Sequence, residues 1–573
     1  MAIFKSLTFD GVNSLDYGIY ITGEAVYNAP ERAVELVNIA GKNGALVLDQ
    51  GRFENIEVTY HAGCFADNQE DFARKVMEFR NVLASRFHYV RLSDEYHSDE
   101  YRMALYKDGL EVDAVQYSTA GEFDITFNAK PQRFLTSGEV PVTADDWSDV
   151  QTESGSLVTI DNDGSLAVKS LEVALEPIQS GSGTPSPDNV RPISGRTEVV
   201  TQRTGVNVWD EEWEVGGINA NGEPIVGTTA IRSKNFIKVE PNAEYYFHTS
   251  ANGRNNPFFY DENKNFVQRY GSYITNSQIT VPSDCHYMKF GMTSAYGATY
   301  NNDISINYPS TDTDYHAYQG TTYTTALGRT VYGGTLDVVS GELTVDRAMV
   351  TLDGDEDWSL YAPPNYDETY WMQISDKMKQ ILTSISSAYE NADAVWESAG
   401  VGKYGVFSDH PTLPRLYFRP PNSSITSLGE WKTWLASNPL QVVYTLATPT
   451  TYQLTPQEVE LLTGTNNVWS DGGDVTLEYG TSPWYNPTPF DAKPLIKVTG
   501  TGTVQINDVT IAISESPTTI DCEAMEAYNG TESRNGDIVL TPNEFPTLHE
   551  GMNEVEAGSG ITALEITPRW WRV

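Results

Sequence analysis

Cysteine is scarce: the chain of 573 residues holds three, Cys64, Cys285 and Cys522. An odd, widely spaced set builds neither a disulfide framework nor a zinc cluster, so all three are expected as buried thiols. Histidine is scarce too, with 8 residues, and Cys285-His286 is one potential ligand pair without a second. Basic residues are outnumbered, 37 Lys and Arg against 78 Asp and Glu, for a net charge of −41 at pH 7. A surface this acidic repels phosphate backbones and anionic lipid, which argues against a nucleic-acid partner. No apolar run approaches the ~20 residues that span a bilayer, so no membrane insertion is expected. The start, Met1 to Asp10, has no signal-peptide core, which fits synthesis and assembly in a cytoplasm. No nucleophile elbow, HExxH helix, P-loop or pair of CxxC motifs occurs. The expectation is therefore a non-enzyme with no catalytic residues, no bound metal and no cofactor.

What is present is aromatic and Gly-rich: 33 Tyr, 12 Trp and 45 Gly, with 39% hydrophobic residues. Little long helical periodicity accompanies them, so the chain reads as mainly β, a series of sandwiches. In residues 1–139, Ile56, Val58 and Tyr60 alternate with Glu57 and Thr59, and Asn43-Gly44 marks a hairpin between two apolar runs. One helix is expected at 69–84, where Phe72, Val76, Phe79 and Leu83 share a face, with a capping-box-like start from Asp67 and Glu70. Residues 485–573 are all β by pattern, with turns at Asn507-Asp508 and Asn529-Gly530.

The middle, 140–484, is sparser in charge and opens on a loose polar stretch at 145–163. Within it, 206–309 reads as a β module, with strands at 236–239, 244–248, 258–260, 277–281 and 287–292. Residues 140–205 and 310–484 read as an outer module around it, because 170–179 and 330–345 look like strands of one sandwich. Helices are expected at 373–388, after the cap Ser427-x-x-Glu430, and after Thr455-Pro456.

Read together, the two ends carry a resemblance. VNIAGKNGALVLDQGRFENIEVTYHA (37–62), the helix after it and FDITFNAKPQRFL (123–135) resemble the distal tail protein family of long-tailed, siphovirus-type phages. KPLIKVTGTGTVQINDVTIAI (493–513), TIDCEAMEAYNG (519–530) and ITPRWWR (566–572) resemble that family's second domain, in the family's order. The resemblance implies a ring-forming N-terminal β-sandwich plus helix at 1–139 and a galectin-like β-sandwich at 485–573. It implies a homohexamer in the virion tail tip or baseplate, between the tail tube protein and a tail-associated lysin or fibre protein. Enlarged members carry inserted carbohydrate-binding modules, so the middle is expected to hold jelly-roll-like modules that bind host cell-wall polysaccharide.

Sugars stack C–H faces on aromatic rings and give hydroxyls to Asn, Asp and Arg. In 206–309, Arg254-Asn255-Asn256 precedes Phe258-Phe259-Tyr260, Trp209 and Trp213 lie near the start, and Tyr270 and Tyr273 follow. Trp209, Arg254, Asn256 and Tyr260 are the expected carbohydrate-binding residues, with packing into the sandwich core as the competing reading for each ring. The acidity of the middle favours neutral or cationic sugars over polyanions. Asp353-Gly354-Asp355-Glu356-Asp357 reads as a solvated acidic turn, since it lacks a complete calcium-loop pattern. A tail-borne polysaccharide depolymerase with its active site in the insert is the alternative, but with 78 acidic residues a carboxylate pair has no specificity.

Overall fold

The computed structural model describes residues 5–24, 29–109, 112–114, 119–227, 229–249, 254–361, 370–374, 385–391, 403–407, 415–420 and 424–573. Strand dominates, with two α-helices among the described residues, Gln69–Ala84 and Leu428–Ser437. The fold is mainly β and multi-domain. It divides into two compact units, Met1–Ser148 with Ser482–Val573, and Asp149–Thr481.

The first unit begins with a sheet ordered Val12–Asn13, Leu7–Phe9, Val90–Asp94, Glu100–Leu105, Ala120–Leu135, Ile56–Phe65, Ile19–Glu24. A bridge between Lys5 and Ile21 carries the last strand back toward the first and curls the sheet. The alternation read at Ile56, Val58 and Tyr60 puts those side chains inside, beside Phe9, Ile125 and Phe127. The helix Gln69–Ala84 buries Phe72, Val76, Phe79 and Leu83 as its spacing requires. Its cap differs from the expected one: Asn68 accepts from the Asp71 backbone N–H at 2.9 Å, because Asn68 sits immediately before the first helical residue.

Asn43-Gly44 does turn a hairpin, Arg32–Asn38 against Ala45–Phe53. These strands form a two-stranded sheet of their own. Leu36 and Val47 face each other across it at 63% and 57% exposure, and Leu46 and Leu48 are exposed on its other side. Apolar residues on both faces are the pattern of a strand buried on both sides, yet here both faces meet solvent.

The C-terminal half packs a sheet of Leu495–Gly500, Thr518–Asp521, Glu526–Asn529, Glu532–Ser533 and Ile561–Thr567 against Gly502–Ile506, Val509–Ile513, Ile538–Thr541 and Val555–Ala557. Both expected turns are present, between Ile506 and Val509 and between Asn529 and Glu532. Its core does not stop at residue 485: Leu135 and Val142 pack on it, and Val142 bridges Ile566. The last strand, Trp571–Arg572, pairs with Arg133 and Phe134 of the N-terminal sheet. Trp570 is buried in the C-terminal core, while Trp571 stacks on Phe490 at 4.5 Å. Gly138 allows this approach, because a Cβ there would lie 2.3 Å from the Trp570 nitrogen. Arg572 and Arg133 both reach the buried Glu100 carboxylate.

Asp521 adds an acid-sensitive tie. It takes two hydrogen bonds from Arg569, at 2.7 and 2.9 Å. Burial raises its pKa, but Arg569 together with the Ala524 and Glu523 backbone N–H groups outweighs burial and holds the carboxyl below its usual range. A depressed folded pKa contributes stability above the unfolded value of about 3.9 and loses it as pH falls further. Protection of the amides in residues 566–573, relative to their intrinsic exchange rates, is therefore expected to fall below about pH 4. In Arg569→Met that pH dependence weakens.

The second unit is built on a sandwich. Its seven-stranded sheet runs Ser148–Gly155, Val475–Thr481, Leu166–Leu175, Gly334–Asp337, Glu342–Leu352, Leu440–Gln453, Ile385–Ser386. Its four-stranded sheet runs Val158–Asn162, Gly464–Ser470, Arg196–Thr204, Gly320–Val331. The stretch 145–163, polar enough to read as loose, therefore supplies two strands; the first is an edge whose side chains face solvent. Two further bodies leave through hairpin tips. Arg196–Thr204 pairs with Gly320–Val331 up to Thr204 opposite Gly320, and the chain between them forms a second sandwich. Glu342–Leu352 pairs with Leu440–Gln453 up to Leu352 opposite Leu440, and the chain between them holds a five-stranded sheet and the helix Leu428–Ser437. A hairpin tip tolerates insertion because its base stays paired.

The helix after Ser427 has the full capping box with Glu430. No helix follows Thr455-Pro456: Gln457, Glu460 and Leu462 give their backbone N–H groups to Val338 O, the Tyr323 hydroxyl and Asn466 Oδ1, so the segment is spent on tertiary bonds. The helix expected at 373–388 lies mostly outside the described residues, and its described ends, Tyr370–Ile374 and Ile385–Ser386, are strands. In the acidic turn, the Glu356 carboxylate is occupied by the N–H groups of Asp353, Gly354 and the Trp358 indole.

Candidate functional site

The sandwich between Gly205 and Gln319 faces a three-stranded sheet, Ser277–Thr280, Glu244–His248, Ser305–Asn307, with a larger one. The larger sheet is ordered Trp213–Val215, Ile231–Ser233, Tyr287–Met292, Asn255–Tyr260, Phe266–Arg269. Ile231, Phe259, Met288, Phe290 and Met292 point into the core. By alternation, Arg232, Asn256, Phe258 and Tyr260 lie on the opposite, outer face.

The four expected sugar-binding residues separate on this frame. Trp209 is in the core at 0% exposure, its ring edge-on to Phe290 at 4.8 Å and Tyr300 at 5.2 Å. No ring face is left for a sugar, so Trp209 is a packing residue. Arg254 is exposed where the strand Asn255–Tyr260 begins. Asn256 and Tyr260 share the outer face, but both are buried. Asn256 Oδ1 accepts from Arg269 Nε at 3.0 Å, and the Tyr260 hydroxyl donates to Gly222 O at 2.7 Å. Burial pushes the Tyr260 phenol up to about 12.

Tyr273 is the aromatic residue this face leaves open, at 51% exposure, with the Arg269 guanidinium 5.4 Å from its ring centre. Arg269, Asn256 and Tyr273 thus put a cation, an amide and a ring side by side. Sequence reasoning listed Tyr273 among the surrounding rings without choosing it. The usable signal was the run Phe258-Phe259-Tyr260: three rings in a row are buried on both faces of a strand, so none of them was free.

The N-terminal sheet carries a separate open depression of about 810 Å³, lined by Tyr20, Thr22, His61, Glu122, Asp124 and Thr126 among others. His61 Nδ1 contacts Asp124 there, and Thr22 Oγ1 donates to the His61 carbonyl at 3.3 Å rather than to the ring. Among the described residues, no group of three or more His, Cys, Asp or Glu stands at metal-binding spacing. All three cysteines are buried and free, and burial pushes Cys285 and Cys522 up to about 12.

No family model and no curated protein matches the sequence. Among solved structures the chain is similar to phage hub and baseplate proteins. One is the SPP1 Dit (gp 19.1) protein, a hub adsorption apparatus of phages infecting Gram-positive hosts. It is 12% identical, covering 51% of this chain and 98% of that one, with a TM-score of 0.20. Another is the phage p2 baseplate in its activated conformation with Sr, 8% identical over 56% of this chain and 94% of that one, with a TM-score of 0.19.

Proposed function

We propose that this chain is an enlarged distal tail protein of a long-tailed phage. Six copies form a ring at the tail tip through the unit Met1–Ser148 with Ser482–Val573, and the ring joins the tail tube protein to a lysin or fibre protein. The reading is carried by that unit: the two ends whose strings resemble the family are knitted by one strand, Trp571–Arg572, across the long insert. The arm Arg32–Asn38 with Ala45–Phe53 supplies the contact between copies. A two-stranded hairpin is marginal alone in water, and a neighbouring copy gives both apolar faces something to pack on.

The unit Asp149–Thr481 carries the wall-binding function, with neutral or cationic host polysaccharide as ligand. Per-site affinity is on the order of millimolar to tens of micromolar, and six linked copies raise avidity by about 10²–10⁴-fold. On a glycan array the full-length protein is expected to bind wall polysaccharide, and Tyr273→Ala to weaken each site about 10-fold, the equivalent of about 1.4 kcal/mol. Trp209→Ala instead unfolds the sandwich. Unchanged binding by Tyr273→Ala contradicts this placement of the site.

A further inference from the structure

The strands Gly217–Ile218 and Pro224–Ile225 form a small hairpin. It lies over the outer face of the larger sheet just described. Arg232 Nη1 donates to Gly217 O at 2.9 Å and Ile225 O at 2.8 Å, and the Tyr260 hydroxyl donates to Gly222 O. Ile218 lies over Gly291, and Gly222 sits against Phe266. Asn256, Phe258 and Tyr260 are buried although they face away from the core: Arg269 bonds Asn256, Phe266 lies beside Phe258 and Tyr260, and the hairpin holds Phe266 at Gly222 and the Tyr260 hydroxyl. Past it, the same face opens at Arg269 and Tyr273.

We infer that residues 217–225 are a displaceable strap that shortens an oligosaccharide groove, leaving the Tyr273 end open and covering the subsites at Arg232, Asn256, Phe258 and Tyr260. The inference rests on the glycan reading above. The strap presents carbonyl oxygens to Arg232 and Tyr260, and sugar hydroxyl oxygens accept from the same donors. A sugar ring over Phe266 and Gly291 replaces the strap's packing at Gly222 and Ile218, since pyranose C–H faces stack on aromatic rings. The strap is also lightly built. Its paired strands are two residues each, and Pro224, Ile225 and Val226 are exposed on it. A short sugar fits the open end alone, whereas a longer one reaches the covered rings only by displacing the strap.

Gly222, in the turn of the hairpin, offers a way to lift the strap by a substitution outside the open Arg269 and Tyr273 end. Its φ is +76°, and a Cβ there would come within 2.3 Å of the Phe266 ring. The test uses full-length protein and β-linked glucose and N-acetylglucosamine oligomers of one to six units. Gly222→Ala is expected to bind the hexamers at least 10-fold more tightly than wild type, with affinity for monomer and dimer unchanged. Hydrogen exchange in 217–225 is expected to rise in that variant while Ile231–Ser233 and Asn255–Tyr260 keep their protection. Tyr260→Phe, which removes one anchor, is expected to raise exchange in 217–225 by less. Equal hexamer affinity in wild type and Gly222→Ala, with exchange raised in 217–225, overturns the strap and leaves the glycan reading standing. Exchange rising through the whole sandwich overturns it too, because the hairpin is then part of the fold. No binding of any oligomer by wild type or variants overturns the glycan reading and this inference together.

Discussion

Trp570→Ala is expected to destabilise the unit formed by the two chain ends by about 3–5 kcal/mol, the cost of emptying a large aromatic site in a packed core. Trp570 is buried with Trp484, Leu548 and Ile566. Leu135 and Val142, which precede the insert, pack on the same cluster, so losing the indole loosens the seam between the halves as well as the core. Trp571→Ala is expected to cost less, about 1–2 kcal/mol, because it loses the stack on Phe490 and the indole bond to Asp491 O but leaves a half-exposed site. Urea unfolding of the full-length protein, followed by a probe in 1–148, measures both. A Trp570→Ala loss below about 1 kcal/mol contradicts the seam.

The second large effect is on assembly. Leu36 and Val47 oppose one another on one face of the arm and are exposed in the single chain. Changing both to Asp leaves every described core intact, so the thermal unfolding of the subunit is expected to stay within a degree or two. The ring is expected to disappear, because each contact then buries two carboxylates in an apolar seat. Sedimentation velocity of wild type and variant at equal concentration measures this. A variant that sediments like wild type contradicts the arm as the contact between copies.

Much of the fold was legible because its periodicities are clean. The helix Gln69–Ala84, the strands at 244–248 and 287–292, and the turns at Asn43-Gly44 and Asn529-Gly530 follow from spacing and turn chemistry alone. The failures have a common cause. Where tertiary partners take the backbone donors, as at Gln457, Glu460 and Leu462, a local helix signal loses. Where an edge strand exposes both faces, as at Ser148–Gly155, its polar sequence reads as loop. The seam between the ends was invisible to any window, since Trp571 finds Phe134 from the far end of the chain. Gly138 and Val142 belong to the same seam: Gly138 packs on Trp570, and Val142 pairs with Ile566. Of the four residues the sequence singles out, Asn256 and Tyr260 share one face of the strand Asn255–Tyr260, which the sequence reading did not foresee, and the short hairpin beside that face has no strand signal of its own. Trp209 shows the limit of composition: a ring near a polar loop packs wherever the core has room.

Native mass spectrometry of the full-length protein tests the six-membered ring most directly. A dominant species at six times 63.5 kDa is expected at micromolar concentration, reduced to single chains by the Leu36→Asp, Val47→Asp pair. Wild-type protein that stays at 63.5 kDa across that range, with both ends folded, contradicts it.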